Sequence, residues 1–227
     1  MRFPLWVRKV IKRARIVSIQ RALGRRKHDP IRVLDVGCGP HVMNTKPYFN
    51  VTEYHGVDKQ MWPGFEHLYA NLDKMFYMDL ENPEVAGIQD GHYELIILSH
   101  VIEHLSNGLE VIELMIKKMA PNGCIYIESP SMRTINLPSA IGFMNFYDDP
   151  THKRLYFDHE IIQTLQKSGL KVSYFGYRRT WARAILVPPI SIVLNLFYYL
   201  PFKGRISAWG LWEALGVARV WVATRKD

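Results

Sequence analysis

Cysteine is scarce in this chain: there are two, Cys38 and Cys124, far apart in the sequence. A disulfide framework is excluded as an organising device, and the reducing cytoplasm is the expected compartment. The first thirty residues hold no continuous apolar core, so no secretory signal is expected. No internal repeat or low-complexity tract occurs, which excludes solenoids and arrays. Acidic residues are nearly missing from residues 1–29, where ten Lys or Arg stand against Asp29 alone. That stretch carries +9 of a total of +8, which leaves −1 for the other residues. The basic character therefore belongs to the leader and not to the body. With 227 residues, the chain is long enough for one sizeable core.

The leader is patterned. Stepped at the helical angle, Phe3, Trp6, Val7, Val10, Ile11, Ala14 and Val17 fall on one side, and Arg8, Lys9, Lys12, Arg13 and Arg15 on the other. Leu5, Ile16 and Ile19 interrupt the separation. Pro4 suits a first turn and Gly24 a stop. A basic amphipathic helix bearing Trp and Phe fits an anionic lipid surface. Packing on its own domain with a solvated basic face, or contact with nucleic acid, would use the same pattern.

What is present in the body begins with Ile31 to Pro40, IRVLDVGCGP. Ile31, Val33, Leu34 and Val36 read as a strand buried on both faces. It ends in Asp35, then Gly37 and Gly39, which permit a sharp turn and close approach of a ligand to the backbone. Tyr54–Asp58 reads as a second strand ending in an acid suited to the hydroxyls of a ribose. Met75–Asp79 reads as a third strand, with Asp79 placed to meet an adenine amino group. His92–Ser99 is the fourth, running into His100-Val-Ile-Glu-His104. His100, Glu103 and His104 spell a zinc-peptidase pattern, but that pattern needs an established helix, and His100 abuts a strand end. No metal site is expected from it. An amphipathic helix over 109–119, a break at Pro121-Asn-Gly123 and a fifth strand at Cys124–Glu128 follow. A helix over 161–167 and strands at 171–177 and 217–224 complete an α/β pattern with a largely parallel sheet.

In this order, VLDVGCGP, YHGVD, MDL, YELIILSHVIEHL and PNGCIYIESP resemble the class I S-adenosylmethionine-dependent methyltransferases over roughly residues 31–180 plus a last strand. The resemblance implies a Rossmann-like, doubly wound sheet of seven strands, mostly parallel with the last antiparallel. It implies S-adenosyl-L-methionine across the carboxyl ends of the first four. Carried over, Gly37 and Gly39, beside Asp35, line the methionine moiety, and Asp58 holds the ribose. Asp79 with Leu80 frames the adenine, while Ser99 and His100 lie near the sulfonium. The family often has a third glycine two residues after Gly39, where this chain has His41.

The segment 131–157 follows the fifth strand and should roof the cofactor. Its Asp149-Pro-Thr-His152 core, with aromatics around it, resembles a subgroup found near enzymes of glycan and lipid-linked sugar assembly. Methyl transfer is an in-line displacement, so placing the acceptor on axis is most of the work. A hydroxyl acceptor also profits from a base, and His152 suits that task, with Asp149 orienting it or binding the acceptor. The other reading makes Asp149 and His152 staples of a Pro-containing loop.

The domain plan is a basic helix over 1–29 and one methyltransferase domain over 30–227, with a hydrophobic insertion at about 181–215. Within the insertion, residues 184–202 carry no charge, are split by Pro188-Pro189, and end in Tyr198, Tyr199 and Phe202. That placement fits a dip into a membrane surface, a buried lid or a homodimer contact better than a span. With the leader (1–25) it would form one docking face for an anionic membrane. The expected protein is cytoplasmic and peripheral on the inner face, acting on a small-molecule, glycan or lipid-linked acceptor. An RNA methyltransferase is disfavoured, because the Asn/Asp-Pro-Pro-aromatic motif of amino-base modifiers is missing after the fourth strand. A non-catalytic binding module on the same fold is the remaining alternative.

Overall fold

The computed structural model describes residues 14–41, 45–137, 139, 145–179, 185, 189 and 215–225. Seven strands form one sheet: β1 (Pro30–Val36), β2 (Asn50–Asp58), β3 (Lys74–Tyr77), β4 (Tyr93–Ser99), β5 (Met119–Pro130), β6 (Leu170–Tyr177) and β7 (Ala218–Arg225). Their spatial order is β3-β2-β1-β4-β5-β7-β6. The pairs among β1 to β5 are parallel, and β7 lies antiparallel between β5 and β6. The order reverses between β1 and β4, which makes the carboxyl ends of these two strands the switch point of the sheet.

Period-two side-chain alternation divides the core into two layers. Ile31 and Val33 of β1, Leu95 and Ile97 of β4, and Cys124 and Tyr126 of β5 face one side, covered by Ile19 and Leu23 of helix α1 (Ala14–Leu23). Leu34, Val36, Ile96, Leu98, Ile125 and Ile127 face the other. They pack on Val111, Ile112, Met115 and Ile116 of α3 (Gly108–Lys118) and on Ile161 and Leu165 of α4 (Asp158–Lys167). The short α2 (Glu66–Tyr69) precedes β3. Burial of β1 on both faces is the property its apolar run implies.

Two expectations need correction. In α1 the buried residues are Ile16, Ile19 and Leu23, while Val17 is half-buried. The two isoleucines read as interruptions are in fact the packing face, because the sheet needs cover along that line. The fifth strand begins at Met119 and not at Cys124. Its register moves from Tyr93↔Met119 to Leu95↔Cys124, so Pro121-Asn-Gly123 is looped out of the ladder as a bulge and does not precede the strand. Residues 1–13 of the leader, and nearly all of 181–215 with its uncharged run 184–202, lie outside the described residues. Among the described residues, no helix is long and apolar enough to cross a membrane.

Candidate active site

The turn after β1 is built on positive backbone angles, with φ 61° at Gly37 and 50° at Gly39. A Cβ on Gly37 would lie 2.4 Å from Val101 Cγ2, so both conformation and space require glycine there. The Gly37 and Cys38 amides both donate to the Val57 carbonyl, at 2.7 and 3.2 Å, which folds the turn onto β2. Gly39 N donates to Asp58 Oδ2 at 2.8 Å, and Lys59 N donates to Asp58 Oδ1 at 2.7 Å. An ionised carboxylate accepts at about four lone-pair sites, so half of Asp58's capacity remains for ligand hydroxyls. This half-buried acid beside a glycine cradle fits a ribose. His41 closes the short turn Gly39–His41, and residues 42–44 lie outside the described residues.

Asp79 stands beyond β3, half-buried, and accepts from Lys59 Nζ at 2.9 Å and Glu81 N at 3.1 Å. The Lys59 hydrogen bond, then the backbone donor, holds its carboxyl below the usual range. The Leu80 side chain is buried in the α3-side core, and its carbonyl accepts from Asn107 Nδ2 at 3.1 Å. What it can offer an adenine is therefore backbone and not an apolar wall.

Asp35 is buried, with 8% of its surface exposed. Tyr54 OH donates to its Oδ2 at 2.6 Å, and Thr45 Oγ1 stands 2.9 Å from the same phenol. Burial pushes the Asp35 carboxyl up to about 6, against the opposing pull of Tyr54 and Arg15. The resemblance sets Asp35 beside the methionine-lining glycines; its side chain is held in the α1-side layer, because alternation turns it to the same face as Val33.

Ser99 and His100 are tied inward in the same way. Arg15 of α1 donates to Ser99 Oγ and lies 3.5 Å from Glu128 Oε2. Glu128, fully buried on β5, also accepts from Tyr126 OH at 2.6 Å, from His100 Nε2 at 3.0 Å and from Arg178 Nη1. Burial alone would raise its carboxyl, but Arg178, Arg15 and His100 hold it well below the usual range. His100 has φ 57° and is the one non-glycine residue with positive φ among the described residues. Its Nδ1 stands 3.0 Å from Glu103 Oε1, so each ring nitrogen faces a carboxylate. Desolvation opposes the charged ring, yet the two carboxylates push its pKa up to about 9. His100 is thus an imidazolium clamp, turned away from the role that a zinc-peptidase pattern would give it. Ile102–His104 is a single 3-10 turn and no α-helix.

The DPTH segment lies directly over that turn. Lys153 N and Arg154 N both donate to the Glu103 carbonyl, at 2.8 and 3.2 Å. Asp149 Oδ1 accepts from Thr151 N at 2.8 Å and from Thr151 Oγ1 at 2.5 Å, an Asx-type turn. Burial would raise the Asp149 carboxyl, but these donors hold it below its usual range. His152 Nδ1 stands 2.6 Å from the Phe146 carbonyl, and its ring stacks on Phe146 at 4.6 Å. Asp149 Oδ2 is 3.9 Å from His152 Nε2, too far for a hydrogen bond, so the Phe146 carbonyl and ring orient the imidazole. A hollow of 260 Å³ at the opposite, amino edge of the sheet, lined by Arg26, Arg32, Glu94 and Asn122 among others, contains none of these groups.

Sequence reading missed Arg15, Arg178, Glu103 and Glu128 as a connected set. The signal available was the alternation that puts Asp35, Ser99 and Glu128 on the α1 side of three adjacent strands.

A family model described as a methyltransferase domain matches residues 8–174. A ubiquinone biosynthesis O-methyltransferase of Rickettsia bellii is 28% identical over 102 residues, 44% of this chain and 42% of that protein. The match therefore spans less than half the length of that relative. Among solved structures, a SAM-dependent methyltransferase from Archaeoglobus fulgidus superposes with a TM-score of 0.54 at 20% identity, over 97% of this chain and 98% of that one. An S-adenosylmethionine-dependent methyltransferase from Mesorhizobium loti gives 0.62 at 14% identity, over 93% and 98%. The glycine turn, the strand-end acid and a family match over most of the chain lead to one conclusion: this protein belongs to the methyltransferase-domain family, as a class I enzyme whose cofactor is S-adenosylmethionine.

Proposed function

We propose that the chain methylates an oxygen of a small-molecule, glycan or lipid-linked acceptor presented at a membrane surface. The observation that carries this reading is the orientation of His152. Its Nδ1–H is spent on the Phe146 carbonyl, which leaves the Nε2 lone pair free to act. Nε2 lies on the segment packed over the end of β4, beside the switch point where the cofactor binds. When bound, S-adenosylmethionine supplies an electrophilic methyl on sulfur. The chain's own task is to hold the cofactor by Asp58 and the glycine turn, to place an acceptor hydroxyl on axis, and to take its proton at His152 Nε2. Asp149 shapes the turn that carries His152, through its bonds from Thr151 N and Thr151 Oγ1.

Support for oxygen as the accepting atom comes from the partial likeness to an O-methyltransferase of ubiquinone biosynthesis. A membrane location is supported by the basic leader and by the uncharged run 184–202 between Arg183 and Lys203. Flotation with anionic liposomes tests the location: full-length protein should float, and a chain lacking residues 1–13, which keeps the core-covering α1 (Ala14–Leu23), should stay in the soluble fraction. Equal recovery of both in the soluble fraction counts against a membrane-borne acceptor. The chemistry is tested by single-turnover assays of His152→Ala, which should retain S-adenosylhomocysteine binding while losing transfer. Near-normal turnover removes the base role.

A further inference from the structure

We infer that Glu103, His104 and His152 form a binding site for one divalent transition-metal ion at the mouth of the active site, with open positions for oxygens of the acceptor. One ligand atom from each of the three side chains lies within 4.8 Å of the others. The inference deepens the proposed function and rests on it for what the ion does, though not for whether an ion binds: with the ion bound, His152 Nε2 is its ligand and takes no proton, and the ion instead acidifies the acceptor hydroxyl, whose proton leaves to solvent.

The proton positions can be worked out from the hydrogen bonds. Thr151 has one hydroxyl proton, and it goes to the ionised Asp149 Oδ1 at 2.5 Å. The 2.9 Å contact between Thr151 Oγ1 and His104 Nδ1 therefore has His104 as donor. His104 is protonated at Nδ1 and keeps a lone pair at Nε2. His152 is in the same state, because its Nδ1–H goes to the Phe146 carbonyl. Two imidazoles thus present Nε2 lone pairs, each fixed by an outer hydrogen bond of the kind that orients metal-bound histidine. The ring centroids are 4.8 Å apart.

The third donor is the decisive one. Glu103 is fully buried, its Oε1 meets His100 Nδ1 at 3.0 Å, and its Oε2 has no hydrogen-bond partner. A buried carboxylate oxygen without a partner is costly and needs an explanation. A cation between it and the two imidazoles supplies one. Ligands of one such ion stand roughly 3–4 Å apart, so the group closes by about an ångström on binding. Two imidazoles and one carboxylate select a transition ion over Mg2+ or Ca2+ and leave positions open. The DPTH motif acquires a physical meaning: Asp149 and Thr151 fix His104, and His152 is the partner ligand.

The test uses the full-length protein, stripped with EDTA and titrated with MnCl2. Bound Mn2+ is read by loss of the free-ion EPR signal, and S-adenosylhomocysteine binding is measured by calorimetry on the same sample. One equivalent of Mn2+ per chain is expected, with affinity at least tenfold weaker in His104→Asn and in Glu103→Gln. Both variants should melt cooperatively and retain S-adenosylhomocysteine affinity. His104 lies at the surface turn, so its variant remains informative if the buried substitution fails to fold. No stoichiometric Mn2+ on the wild type, or unchanged Mn2+ affinity in His104→Asn, overturns the ion site. Cofactor binding that persists in that case leaves His152 as a base acting alone. Failure of cofactor binding itself would instead strike the proposed function.

Discussion

Two polar clusters lie a few residues apart at the carboxyl edge of the sheet, and they are built on opposite plans. Around Glu128 every carboxylate oxygen is engaged: Arg15, Arg178, His100 and Tyr126 converge on one buried acid. Around His152 and Asp58 the side chains are held by backbone groups and keep lone pairs unspent. His100 and Glu103 join the two, since His100 bridges both carboxylates while Glu103 Oε2 is left over. The difference teaches that the number of titratable groups does not mark the working site. Spent donors and acceptors make a scaffold, and unspent ones make chemistry.

Breaking one side at a time should separate the two. The largest effect is expected for His152→Ala, with methyl transfer falling by about 10²–10⁴-fold, the usual contribution of a positioned proton acceptor. Its melting temperature should stay near that of the wild type; a large stability loss instead would move His152 into the scaffold. Glu128→Ala should do the reverse and cost about 3–5 kcal/mol of stability, because two half-buried guanidiniums and an imidazolium lose their common, fully buried partner. Chemical denaturation checks this, and a loss below about 1 kcal/mol would show a cluster of surface character.

Asp58→Ala is expected to weaken S-adenosylhomocysteine binding by about 10–100-fold, as the loss of hydrogen bonds to a charged acceptor implies. Calorimetry reads it directly, and unchanged affinity would displace the ribose from Asp58. The smallest effect sharpens the comparison on the scaffold side. Asp35, with its folded pKa pushed up from 3.8 to about 6, binds its proton more tightly in the folded chain than in the unfolded one. Its contribution is most favourable below the unfolded value, declines as pH rises from about 4 to 6, and is level above that range. Asp35→Asn should therefore stabilise the protein by about 1–2 kcal/mol at pH 7 and by nothing near pH 4, read as melting temperature against pH. A gain of equal size at both pH values would place the cause outside titration.

Much of the fold was legible. The apolar run of β1, the spacing of 111, 112, 115 and 116 in α3, and the strand-end glycines and acids are local patterns, written with periods that a single strand or helix obeys. Asp58 and the glycine turn stand together because β1 and β2 are neighbours in a parallel sheet. The orientation of α1 was harder to read, since Arg15 makes its inner face look polar until Glu128 is seen across from it. The bulge at Pro121-Asn-Gly123 reads as a break because looped-out residues carry turn signals whether a strand ends there or resumes.

By itself the sequence determined the sheet's elements, their order, the positions of its sharp turns and the residue types at the ends of its strands. The tertiary structure alone decided which of those residues were consumed. Asp35 and Asp58 are both strand-end acids, yet one meets a tyrosine in the core and the other meets backbone amides at the edge. Glu103, His104 and His152 come within reach only because a later loop lies over an earlier turn. Periodicity is a property of neighbours along the chain, whereas the satisfaction of a donor or acceptor depends on what the register across strands and loops brings against it.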